Sequence, residues 1–363
     1  MIGAMDGSLL YPYLIEPKLV AAIWGGDALV KRFGKAGDPN AKLGESWECW
    51  DTNRVRNGQL QGRSISELRA ALGADFLGNL DANRIFPVLT KIIDARDSLS
   101  VQVHPDDEYA QRVEHQPNGK TECWYVIDAV PGAELVLGWT RDTSREEYER
   151  RVKDGTLGEI LRRVPVSPGQ VFYLPAGTLH AIGAGIIIFE TQQASDLTYR
   201  IFDWNRVDSN GKPRELHVQK AADVLDYRAS EAGAIATVDY RLGGIRREAC
   251  VADRNFTVEK IELTSSWAAL PTEGRPLIFM TLDREAEVRC EAGSARLGGY
   301  QTVLFAADAH HVELRAADEH AAMMFVTPPA RADAMEGRLQ SAGVDADRIE
   351  QFLHQFAPLV RTA

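Results

Sequence analysis

Strand-length runs rich in Val, Ile, Phe and Tyr, punctuated by Gly, Pro and Asp, recur through most of the sequence. A chain patterned this way buries its apolar faces as sheets that close on one another. After about residue 240 the pattern restarts with FTVEKIEL, RPLIFMTL, AEVRCEAG, YQTVLFAA and HHVELRAA. With 363 residues the chain is longer than one average domain. We therefore expect a mainly β protein of two units, 1–238 and 239–363. A faint internal repeat supports this: Gly169 precedes His180, and Gly299 precedes His310, by the same eleven residues.

Helices enter as insertions. Ser64 and Glu67 form a capping box ahead of Leu68 and Leu72, with Gly73 able to stop the turn, which predicts a short helix over about 64–73. Thr143 and Glu146 have the same spacing, and a two-helix excursion is expected over about 143–163, interrupted near Gly155. Residues 218–225 are a further candidate. Near the end, Ile349, Phe352, Leu353 and Phe356 share a helical face, so a C-terminal helix should dock on the protein.

Charge and composition exclude several roles. A formal net charge of −11 repels nucleic acid and anionic membrane surfaces, so an anionic small molecule would need a local cluster of Lys and Arg. No apolar run has membrane-spanning length, and the start lacks a basic stretch followed by an apolar one, so the expected location is cytoplasmic. Cys49, Cys123, Cys250 and Cys290 show no C-x-x-C spacing, which points to reduced structural thiols.

Chemistry concentrates in three segments. In SLSVQVHPDDEYA, strand alternation sends Leu99, Val101 and Val103 to one face and Ser100, Gln102 and His104 to the other. A polar row of this kind suits a barrel with an internal site. In GKTECWYVIDA, Glu122 shares a face with Trp124 and Val126, and a carboxylate in such company needs a cation. In GQVFYLPAGTLHAIGAG, Pro175 and Gly177 constrain a turn just before His180 enters a strand. Two imidazoles, a carboxylate and an amide oxygen suit a borderline divalent ion such as Zn²⁺, with Gln102, His104, Glu122 and His180 as ligands. Mn²⁺ and Co²⁺ fit the same donors.

The pattern Q-x-H-P-D, K-x-E and P-A-G-x-x-H resembles the cupin superfamily, and in this specific form the type I phosphomannose isomerases. The likeness continues through IFETQQASDLTYRIFDWNRVDSNGKPRELHVQKAADVLDY and covers most of residues 10–230. It implies two cupin-like jelly-roll barrels, one zinc ion in the first, and interconversion of mannose 6-phosphate and fructose 6-phosphate through a cis-enediol. It also implies that Gln102, His104, Glu122 and His180 are the metal ligands and that Arg200 is the essential arginine. Lys91 and Lys120 match family positions and are candidates, with Ser100, for holding the sugar or its phosphate. Glu190 is the first candidate for carrying the proton, because it shares a strand face with Ile186 and Ile188; Asp196 is the second.

Other readings stay open on the same residues. A metal-bearing cupin acting on another sugar phosphate, a cupin dioxygenase and a non-catalytic sugar-binding protein all fit the scaffold. Trp24, Trp47 and Trp50 read as core or pocket wall, and the part played by Glu48 is undecided. The second unit offers His310 without a Gln-x-His or a carboxylate at the spacing of Glu122, and is expected to be metal-free.

Overall fold

The protein is described here by a computed structural model covering residues 7–81, 84–204, 206–207, 211–328 and 332–356. Four antiparallel sheets dominate it, paired into two barrels. In the first barrel a six-stranded sheet runs, in spatial order, Val171–Leu174, Glu122–Ala129, Ile186–Gln193, Val88–Ala95, Lys18–Gly26 and Leu43–Cys49. It faces a five-stranded sheet of Tyr199–Phe202, Val101–Val103, His180–Ile182, Glu134–Trp139 and Leu161–Pro165.

The second barrel repeats this order. Its eight-stranded sheet contains Thr302–Phe305, Leu277–Thr281, His320–Thr327 and Thr257–Thr264 as consecutive neighbours, in the same pattern of chain steps as the first four strands above. Ile245–Ala252 and Val238–Leu242 extend one side of it. Two strands from the start of the chain, Tyr13–Glu16 and Arg54–Val55, complete the other side, with Tyr13 opposite Leu304. The facing four-stranded sheet holds Ala268–Ala269, Glu313–Ala316, Ala286–Cys290 and Gly293–Leu297.

Local sequence explains the tight connections. Pro131-Gly132 turns Glu122–Ala129 back into Glu134–Trp139: Gly132 takes φ +81°, and Ala133 N–H donates to Val130 O at 3.0 Å. A β-branched or other L residue would be strained at that φ, which is why the second central position of such a turn selects glycine.

Each apolar surface has its own partner. The outer face of the five-stranded sheet buries Val101 and Val103 against Tyr148, Ala221 and Val224 of helices Arg145–Asp154 and Val218–Val224. The interior of the first barrel packs Ile93, Trp124, Val126, Phe172, Leu174 and Ile188. A larger core lies between the barrels and takes in Tyr13, Val55, Phe76, Cys123, Cys250, Phe256 and Phe352.

Several expectations change in detail. The capping box at Ser64 is present, and the helix it starts is Ile65–Leu72. In the next insertion the cap is Ser144, not Thr143: Ser144 Oγ accepts from Glu147 N at 3.2 Å, while the Thr143 hydroxyl donates to the Glu147 carboxylate at 3.1 Å. Its second helix is only a 3-10 turn, Leu157–Ile160, because Gly155 ends the first in the left-handed region and Leu161–Pro165 serves as an edge strand. The C-terminus forms two helices, Ala332–Ser341 and Ala346–His354, and Ile349, Phe352 and Phe356 are buried as expected of a docked face. Leu99 leaves the face of Val101 and Val103 for the barrel interior, since the strand begins only at Val101 and alternation does not reach it.

Candidate metal and sugar-phosphate site

Strand register brings the polar residues of the first barrel together. In an antiparallel ladder, residues directly opposite each other share a face with Cβ atoms about 5 Å apart. Across the five-stranded sheet Arg200, Gln102 and His180 stand in one row, since Gln102 is opposite both of the others. Across the six-stranded sheet Trp47, Lys91, Glu190, Trp124 and Phe172 form a second row. The neighbouring row contains Leu89, Gln192, Glu122 and Leu174.

The turn after Pro175 finishes the site. Gly177 sits at φ +90° at its second central position, Thr178 N–H donates to Pro175 O at 3.1 Å, and Gly177 N–H donates to His104 O at 2.9 Å. The P-A-G-x-x-H segment is thereby hydrogen-bonded to the backbone of the other histidine. The two imidazole rings lie 4.8 Å apart.

Both imidazoles donate from Nδ1 to a backbone carbonyl, His104 to Leu197 O at 2.8 Å and His180 to Thr178 O at 2.9 Å. A carbonyl can only accept, so each ring keeps its proton on Nδ1 and presents a bare Nε2 to the interior. These atoms face the carboxylate of Glu122, with His104 Nε2 3.4 Å from Oε2 and His180 Nε2 3.2 Å from Oε1. Acceptors set against acceptors repel unless a cation lies between them. Lys120 Nζ lies 3.2 Å from Oε2 but leaves the two nitrogens and both oxygens without a hydrogen-bond partner. Burial and then Lys120 push His104 down to about 3, so this ring is neutral at ordinary pH. Burial opposes the charge of Glu122, but Lys120 holds its carboxyl well below the usual carboxylate range.

These atoms fit a metal ion. All three residues are fully buried, and their ligand atoms lie within 4.8 Å of one another. Four donors about 2.1 Å from a tetrahedral zinc stand about 3.4 Å apart, close to the 3.2 and 3.4 Å between the imidazole nitrogens and the carboxylate. Gln102 stands opposite His180 in the ladder, on the same face of the sheet.

Beside the metal ligands lies a buried ion pair. Lys91 Nζ is 3.0 Å from Glu190 Oε2 and 3.6 Å from Glu45 Oε2. Each carboxylate also accepts from an indole, Glu190 from Trp124 at 3.0 Å and Glu45 from Trp47 at 2.6 Å. Burial favours neutral Lys91, but Glu190 and Glu45 outweigh it and raise the ammonium above its ordinary value. Glu45 was not singled out from sequence, although its i, i+2 spacing to Trp47 put both on one strand face.

The remaining candidates are placed as follows. Ser100 is buried just ahead of Val101–Val103. Arg200 is half-buried and, among the described residues, forms no salt bridge with Asp196 or Asp203; it donates to Glu215 O at 3.0 Å and leaves Nε without a partner. Asp203 instead holds Arg206 and Arg214, each at 2.6 Å. Asp196 is exposed. Glu48 faces away from the site, binding Lys35 at 2.5 Å and Thr302 at 3.0 Å. His310 is exposed beside Asp308. Among the described residues no helix is long and apolar enough to cross a membrane.

A cupin-like barrel with imidazole and carboxylate lone pairs converging in its interior defines a protein of that fold with a site able to hold a metal ion. Residues 13–126 match the catalytic domain of type I phosphomannose isomerase. Mannose-6-phosphate isomerase ManA of Bacillus subtilis is 45% identical over 219 residues, which span 59% of this chain and 68% of that protein. The mannose-6-phosphate isomerase of Streptococcus mutans is 40% identical over 260 residues, 70% of this chain and 80% of its own length. The crystal structure of the Bacillus subtilis mannose 6-phosphate isomerase superposes with a TM-score of 0.79 at 32% identity, covering 87% of this chain and 99% of that one. The chain belongs to the type I phosphomannose isomerase family.

Proposed function

We propose that this protein is a metal-dependent aldose–ketose isomerase that interconverts mannose 6-phosphate and fructose 6-phosphate. The observation that carries the reading is the convergence of bare nitrogen and carboxylate lone pairs from His104, His180 and Glu122 beside the buried Lys91–Glu190 pair. Family membership supplies the substrate. Gln102, His104, Glu122 and His180 would hold one Zn²⁺, for which mixed nitrogen and oxygen donors are suited. The ion would supply Lewis-acid polarisation of the sugar oxygens.

The protein's own groups do the rest. The reaction takes a proton from the carbon beside the carbonyl and returns it to the neighbouring carbon through a cis-enediol. Glu190 is the base, fixed by the Trp124 indole and by Lys91, within an apolar wall of Ile186 and Ile188. Arg200, permanently protonated and in a row with Gln102, faces the negative charge that develops on oxygen. Lys91, Lys120 and Ser100 hold the sugar hydroxyls and phosphate. Asp196, exposed, has the weaker claim to proton transfer. We also place the division between catalytic and second units near residue 238 and read the second barrel as metal-free; the matched strand order and the apolar interior of the second barrel support this.

A coupled assay for fructose 6-phosphate formed from mannose 6-phosphate, run before and after chelation, tests the proposal. Turnover that chelation removes and zinc restores is expected. No turnover in fully metallated protein would overturn it for this substrate.

A further inference from the structure

In the interior of the first barrel an oriented polar atom of Gln192 is left over after the metal ligands, the proton carrier and Arg200 are assigned. Gln192 is fully buried, and its Oε1 has no hydrogen-bond partner. Register places it directly opposite Glu122, so its side chain enters the same cavity as the carboxylate. The amide cannot turn over to relieve this. Its Nε2 donates to the backbone carbonyls of Ser195 and of Gln193, the latter at 3.3 Å, and carbonyls accept only. Both donors of the amide are directed at these carbonyls, and the oxygen is left aimed away from them.

We infer that Gln192 is a substrate-positioning residue whose carbonyl oxygen accepts a hydrogen bond from a hydroxyl of the bound sugar. This rests on the sugar-phosphate reading above. The chemistry of the atom selects which end of the ligand it meets. The oxygen is an acceptor with no donor to offer, so it gives a phosphate, whose exposed atoms are acceptors too, nothing to bond, and it accepts from a hydroxyl. The sugar hydroxyls therefore lie along the Glu122–Gln192 row, and the phosphate lies away from it. A buried acceptor that only the ligand satisfies also discriminates sharply against an analogue lacking that hydroxyl.

The test uses zinc-loaded protein and a hexitol 6-phosphate, which cannot isomerise. Calorimetric affinity is measured for the parent compound and its monodeoxy analogues, with inorganic phosphate as the control ligand, on wild type and on Gln192→Met, which keeps volume and removes the acceptor. Zinc content is measured on each protein. The expected result is about a tenfold loss for the hexitol phosphate on Gln192→Met, with phosphate affinity and zinc content unchanged. One monodeoxy analogue should lose about the same factor on wild type and nothing further on the variant. Equal weakening of phosphate and hexitol phosphate, or unchanged affinity for both, overturns the inference. If Gln192→Met does not fold, Gln192→Asn, which draws the oxygen back by one methylene, is scored in the same cycle with the same expected and overturning results. Failure of wild type to bind the hexitol phosphate strikes instead at the functional reading.

Discussion

The two barrels share a strand order and differ in what they enclose. Counting along the matched registers, Trp124 of the first corresponds to Phe279 of the second, Glu190 to Phe325, Glu122 to Leu277 and Gln192 to Thr327. The second interior is a continuous apolar packing in which Phe279 and Phe325 stack at 4.6 Å. Lys91 corresponds to Glu259, which is buried at its margin and ion-paired to Arg338 at 2.6 Å. The same backbone thus closes around an apolar core or around a charged one. Burying the charges of the first barrel carries a desolvation penalty that packed hydrocarbon avoids, so its polar interior is explained by chemistry rather than by stability.

Matched substitutions should separate these two purposes. Replacing Glu122→Gln is expected to lower turnover about a thousandfold and to release the metal, measured by assay and metal analysis, since the Lewis-acid contribution is several kcal/mol. At the corresponding position Leu277→Ala should leave kcat unchanged where the protein is folded, and lower its stability by about 3 kcal/mol in a denaturant titration. A large kcat effect at Leu277 would break the contrast.

Next in size, Glu190→Gln should reduce kcat by about 10²–10⁴, as expected for loss of a proton carrier. Its counterpart Phe325→Leu should change thermal stability alone.

Acid should also act unequally. In metal-free protein, His104 is pushed down to about 3 by burial, below its unfolded value of about 6.5. The unfolded chain takes up the proton first, so stability present above about pH 6.5 is lost progressively as the pH falls toward 3. Hydrogen exchange at pH 5 should show early opening around the strands of His104 and His180, with the second barrel still protected. Uniform loss of protection would contradict this.

The smallest effect concerns a contact between the halves. Thr302→Val removes the hydrogen bond to Glu48 and should cost about 1 kcal/mol in unfolding while leaving KM and kcat in place.

What the sequence made legible was local. Alternation around Gln102 and the Pro-Gly turn before His180 depend on a few consecutive residues, so the metal ligands could be proposed before any partner strand was known. Glu45 and Gln192 escaped notice because an inward carboxylate or amide acquires meaning only from the strand beside it, here the ones carrying Lys91 and Glu122. The small displacements at Ser144 and Leu99 have the same origin, since the insertion and the strand settle according to what they pack against. His310 shows the limit of spacing alone: eleven residues after its glycine, it lies outside the strand Glu313–Ala316 and is exposed.

The loan of Tyr13–Glu16 to the distant sheet sets an order on synthesis. Tyr13 and its partner Leu304 are about 290 residues apart in the chain, so once Tyr13–Glu16 is made it must wait for a strand synthesised about 290 residues later. Until then its backbone edge is open to pairing with another chain. A fragment ending near residue 238 would keep every strand that carries the proposed metal ligands and still expose this edge, which makes aggregation its expected fate.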